Sequence, residues 1–147
     1  MTRYISFLAA VIALVLVAGC QSTSVAKPES EEPGEVSFTK DIKPIFQHRC
    51  VMCHNAKTLP GKLSFENRAG AFIKDQHGLP YIIAGKPDES RLYINIITPE
   101  FHELAMPPVS HRVSKEEVKK IRDWIEQGAY WPLGKEGEIV SEYEVLE

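Results

Sequence analysis

Apolar positions along the chain change their spacing several times, and each change predicts an element. After Arg3 an uncharged run over residues 4–18 is rich in Ile, Val, Leu and Ala. Residues 21–35 invert that pattern: Ser, Thr, Pro, Glu, Lys and Gly with almost no apolar side chain. Such a stretch cannot bury enough surface to order itself and reads as a tether. From Val36 the spacing becomes helical. Ile42, Ile45 and Phe46 share one face of a segment over about residues 41–49. With Asp41 as N-cap, Pro44 falls in the first turn, where its missing N–H is not needed. A short piece after Ser64 would bury Ala69, Phe72 and Ile73, and a third after Pro87-Asp88 carries Leu92, Tyr93, Ile96 and Ile97. In the fourth, Ser114 and Glu117 form a capping box, Val118, Ile121, Trp124 and Ile125 follow at helical spacing, and Gly128 ends it. Leu59-Pro60-Gly61 and Gly85-Lys86-Pro87 are connections, and only residues 139–145 have any strand character. The expectation is an all-α domain of about four helices and long loops.

The leading run is shorter than the roughly 20 apolar residues a spanning helix needs, and its start is basic, so residues 1–19 read as a signal peptide. It ends in Val17-Ala18-Gly19-Cys20, which resembles the bacterial lipobox. The mature chain would then begin at an acylated Cys20, with residues 20–35 as its tether. Each buried methylene of the acyl chains contributes about 0.8 kcal/mol to anchoring. The alternatives are a plain secretory signal or an uncleaved anchor with Cys20 incidental. Gln21 stands where an aspartate would signal inner-membrane retention, which favours the outer membrane, facing the periplasm.

The chain has 17 basic and 20 acidic residues. Loss of Arg3 with the signal would take the net charge from −3 to −4, since 16 bases then face 20 acids. No basic face suggests nucleic acid. Of three cysteines the lipid would take one, leaving Cys50 and Cys53, which an oxidising compartment would pair unless a cofactor claims them.

Cys50-Val51-Met52-Cys53-His54 carries the chemistry. In the order C-x-x-C-H each thiol can add to one vinyl group of a haem, and the histidine that follows is held beneath the ring, where a nitrogen can bind iron. A thioredoxin-like pair would want a βαβ surround, and a zinc site a second close pair of ligands; neither is present. The sixth iron ligand follows by elimination among methionines. Met1 leaves with the signal and Met52 is pinned in the attachment loop, which leaves Met106 in Leu104-Ala105-Met106-Pro107-Pro108. Met106 could also simply fill the core. His102 and then His111 are the competitors for the iron; His48 and His77 are less suited. Phe46, Leu63, Phe65, Leu92, Tyr93, Ile96 and Trp124 are candidates for the haem wall or for ordinary core. Pro60 could offer its carbonyl to the second nitrogen of His54.

The order of these features resembles the class I cytochromes c, and most closely the Planctomycete-type cytochrome c domain. The resemblance rests on Phe38, Ile45-Phe46, the C-x-x-C-H run, Gly61-Lys62-Leu63-Ser64-Phe65 and Gly85-Lys86-Pro87-Asp88-Glu89-Ser90-Arg91-Leu92. Met106-Pro107-Pro108 and Trp124-Ile125-Glu126-Gln127-Gly128-Ala129-Tyr130-Trp131 complete it, so it covers residues 36–131. It implies a class I fold with first and last helices crossing beside the haem edge. It also implies thioethers at Cys50 and Cys53 and axial bonds from His54 and Met106. Members of this group are commonly fused to other domains, whereas this domain follows a lipid anchor. Residues 132–147 form an acidic tail outside the pattern. The function expected is a one-electron carrier with a single haem c, meeting redox proteins and no small-molecule substrate, without catalysis of its own. The alternatives are a haem subunit of a larger redox complex, or a sensor or peroxidase-like enzyme with a displaceable sixth ligand.

Overall fold

The computed structural model describes residues 35–108 and 112–140. The signal segment, Cys20, most of the tether, His111 and residues 141–147 lie outside the described residues. All that follows belongs to the unit Glu31–Glu147.

The first helical segment starts earlier than its apolar spacing suggests. Ser37 caps it, its hydroxyl accepting from the Lys40 N–H at 3.3 Å, while the Asp41 carboxylate accepts from the Ser37 N–H at 3.0 Å. The turn Phe38–Ile42 is wound wide, as a π-helix, and runs into α1, Lys43–Arg49. Asp41 is therefore inside the segment and is not its cap. A wide turn is one way to seat Pro44, whose ring would clash with the carbonyl four residues back and which has no N–H to give.

Helix α2, Arg68–Ala71, lasts a single turn behind an Asn67 cap, whose side chain accepts from the Gly70 N–H at 3.0 Å. Because it is so short, Ala71 is the position turned inward and Ala69, expected there, is exposed; Phe72 and Ile73 are half-buried and pack against the core as expected. Helix α3, Arg91–Ile97, follows the turn Pro87–Glu89. The buried Ser90 hydroxyl at its entrance donates to Lys86 O at 2.8 Å and accepts from the Ile83 N–H at 2.9 Å. Leu92 and Ile96 of α3 are buried, Tyr93 is half-buried and Ile97 is exposed. Helix α4, Lys115–Glu126, has the capping box its sequence announces, and Gly128 ends it with φ +107°.

An aromatic cluster forms the core. Phe38 lies 4.4 Å from Trp131 between ring centroids, Phe46 lies 4.7 Å from Phe65, and Phe46 meets Trp124 edge-on at 5.7 Å. Both indoles satisfy their N–H groups: Trp124 Nε1 donates to Tyr130 O and Trp131 Nε1 to Gly137 O, each at 2.8 Å. The chain stays packed beyond residue 131, since Ile139 is buried and its N–H donates to Glu66 O at 2.8 Å. That is one backbone bond; the described residues contain four α-helices and no strand, the all-α architecture the sequence leads one to expect. Helix α4 packs on α3 and on the Phe38–Ile42 turn. Lys120 bridges to Asp41 at 3.2 Å, and Arg49 to Glu117 at 3.2 Å. The first and last helical segments thus meet where the attachment loop begins.

Candidate functional site

Helix α1 delivers Cys50 to the edge of the core. The Cys50 and Val51 N–H groups both donate to Phe46 O, and the Cys53 and His54 N–H groups both turn back to Cys50 O, at 3.2 and 2.9 Å. The two thiols are therefore one tight turn apart. Cys50 is buried and Cys53 exposed, and both are free thiols. Burial pushes the Cys50 thiol up to about 12, with the Glu117 carboxylate adding to the effect and Arg49 opposing it. Asn55, itself buried, ties the loop together. Its amide donates to Val51 O at 2.9 Å and Met52 O at 3.0 Å, and its oxygen accepts from the Lys57 and Thr58 N–H groups at 2.9 and 3.1 Å. The Thr58 hydroxyl donates to Cys53 O.

His54 is half-buried, its ring edge-on to Phe65 at 5.7 Å, and its carbonyl accepts from the Phe65 N–H at 2.9 Å. Burial holds its imidazole below the usual histidine value, while backbone groups of Leu63 and Pro60 pull the other way. The neutral ring this favours is the form that binds a metal ion. The Met106 N–H donates to Asn95 O at 3.0 Å, and the Met106–Pro107 peptide is cis.

One cleft, with a cavity of about 240 Å³, joins these parts. Cys50, Cys53 and His54 line it together with Met106, Pro107 and Pro108. Among the described residues only two buried side-chain polar atoms have no hydrogen-bond partner, His54 Nδ1 and Asn95 Oδ1, and both residues line this cleft. Buried polar atoms are nearly always paired, so the unpaired Asn95 Oδ1 fits a group held in this cleft, while the backbone of Leu63 and Pro60 acts on the His54 ring. The thiol pair, the imidazole, the thioether and the largely apolar lining fit a haem. No group of three or more His, Cys, Asp or Glu side chains able to hold a bare metal ion occurs among the described residues.

The sequence-derived wall divides. Leu63, Phe65, Leu92 and Ile96 line the cleft, as does Pro60, whereas Phe46, Tyr93 and Trp124 do not. Phe46 and Trp124 belong to the aromatic core. His102 is exposed and outside the lining, its Nδ1 accepting from the Leu104 N–H at 3.1 Å. His48 and His77 are also exposed and outside it. Sequence reasoning missed four lining residues, Arg49, Tyr81, Arg91 and Asn95. Tyr81 was foreshadowed by Gly61: the tyrosine hydroxyl donates to Gly61 O at 3.0 Å, and a Cβ on residue 61, where φ is +63°, would collide with it. Arg91 is held by the nearly buried Asp75 carboxylate at 2.9 Å.

Residues 50–110 match the protein family described as Planctomycete cytochrome C. The match is consistent with a cytochrome c-like domain. Such a domain implies covalently bound haem c and fits an electron-transfer role. No curated protein and no solved structure matches the chain significantly.

Proposed function

We propose that this protein is an exported, lipid-anchored cytochrome with one haem c, carrying one electron at a time, with His54 and Met106 on the two faces of the iron. The observation that carries this reading is the shared cleft, in which the C-x-x-C-H turn and Met106 are neighbours. Haem c, when bound, supplies a one-electron iron couple. The chain's part is to hold it. Cys50 and Cys53 would give the thioethers and His54 one axial nitrogen, with the Pro60 carbonyl able to accept from its other nitrogen. Met106 would give a thioether that raises the potential and closes the site to substrates. The lipobox-like run ending in Cys20 supports an acyl anchor facing the periplasm, with the outer membrane favoured. The acidic balance of the chain suits a basic redox partner met through a small interface.

Absorption spectra of the purified protein, oxidised and reduced, test the ligand set against a Met106→Ala variant. Wild type should show a low-spin c-type haem with the weak long-wavelength sulfur–iron band. The variant should lose that band and bind cyanide or carbon monoxide more readily. An unchanged variant would take Met106 off the iron and return His102 and His111 to contention. A Cys20→Ser variant should leave the membrane fraction, and one that stays would end the lipid reading.

A further inference from the structure

The segment bearing Met106 contains no regular helix, yet both of its backbone groups at that residue are held. The N–H donates to Asn95 O, as described above. On the other side stands Arg112, half-buried, which sequence reasoning passed over. Its Nη1 donates to Met106 O at 3.4 Å and Pro107 O at 3.2 Å, and its Nη2 to Ile96 O at 3.3 Å and Thr98 O at 2.7 Å. Ile96 O and Thr98 O lie at the C-terminal end of α3, where carbonyls lack helical partners. One planar guanidinium thereby joins the end of a helix to the two residues around the thioether.

We infer that Arg112 is the positioning residue that fixes Met106 in the cleft. The inference rests on the proposed ligation by Met106. The side chain suits the task for chemical reasons. It has five N–H donors in a rigid fork, it is charged at every physiological pH, and it reaches two pairs of carbonyls from its two terminal nitrogens. A lysine ammonium is a point charge on a flexible stem and cannot span both pairs at once. Without the fork, Met106 keeps only its N–H tie to Asn95, and the thioether samples positions away from the cleft.

The experiment compares wild type, Arg112→Lys, Arg112→Met and Met106→Ala, each as haem-loaded protein of confirmed mass. Imidazole affinity of the oxidised form, the sulfur–iron band and the reduction potential are read below each variant's melting range. Arg112→Met should retain the thioether-linked haem, bind imidazole about tenfold more tightly, weaken the band and lower the potential. Tenfold corresponds to the loss of roughly one ordinary hydrogen bond's worth of restraint. Arg112→Lys should fall between the two. If either Arg112 variant melts lower while affinity, band and potential stay at wild-type values, Arg112 is only structural and the inference fails. If Met106→Ala also leaves all three unchanged, the ligand reading itself has failed and the inference falls with it.

Discussion

The two walls of the cleft are built by different means. The wall bearing Cys50, Cys53 and His54 is local: over residues 50–59 most of the hydrogen bonds that shape it close within five positions. The wall bearing Met106 borrows its shape from elsewhere, through Asn95 eleven residues before it and Arg112 six after, with α3 as the fixed body. A wall held by a short turn can be read from a motif. A wall held at a distance depends on residues that carry no motif. On the proposed ligation the difference also separates grip from tuning, since covalent attachment would fall on the self-contained side and the exchangeable ligand on the borrowed one.

The sharpest way to break the comparison is to remove the attachment. Replacing Cys50 and Cys53 together by serine should abolish covalent haem, read as loss of haem stain on a denaturing gel, whereas Met106→Ala should leave the stain intact. Next comes Asn55→Ala, which strands buried backbone groups of the attachment turn and should cost about 2–3 kcal/mol in urea unfolding, with imidazole affinity of the surviving fold unchanged. Gly61→Ala forces a Cβ into the left-handed region and against the Tyr81 hydroxyl, so a loss of about 1–2 kcal/mol is expected from denaturant midpoints.

The smallest effect is electrostatic. Burial pushes the Glu117 carboxyl up, but the Ser114 N–H and hydroxyl and the Arg49 guanidinium outweigh it and leave the group below the usual glutamate value of 4.5. A carboxyl lowered in the folded state contributes stability that is present above that value and disappears as the pH falls through the folded value. Glu117→Gln should therefore lower the free energy of urea unfolding at neutral pH by less than about 1 kcal/mol, because the pair is partly solvated, and should make little difference in strong acid. An equal loss at both pH values would show that shape and not charge is at stake.

Much of this molecule was legible in its sequence, and the misses share a cause. The capping box at Ser114 and Glu117, the helix after Pro87 and the C-x-x-C-H turn are local signals, and each stands where its residues said. The cap of the first segment was misplaced because a wide turn around a proline leaves no mark in apolar spacing. Ala69 stood in for Ala71 on the buried side because a one-turn helix has too few positions to fix a phase. Phe46 and Trp124 were grouped with possible wall residues because an aromatic in the core and one beside a cofactor look alike in one dimension. Arg112 and Asn95 stayed invisible because one serves main-chain carbonyls and the other lines a cleft, neither of which has a sequence signature.

The packing of Trp131 and Ile139 bears on where the chain can be cut. The family resemblance ends at residue 131, but the indole N–H of that residue is answered only by Gly137, and the Ile139 side chain is as buried as the helices it covers. A fragment stopped at the edge of the resemblance would strand a buried donor and strip a lid from the aromatic cluster. A soluble fragment for crystallisation or electrochemistry should therefore run past Ile139.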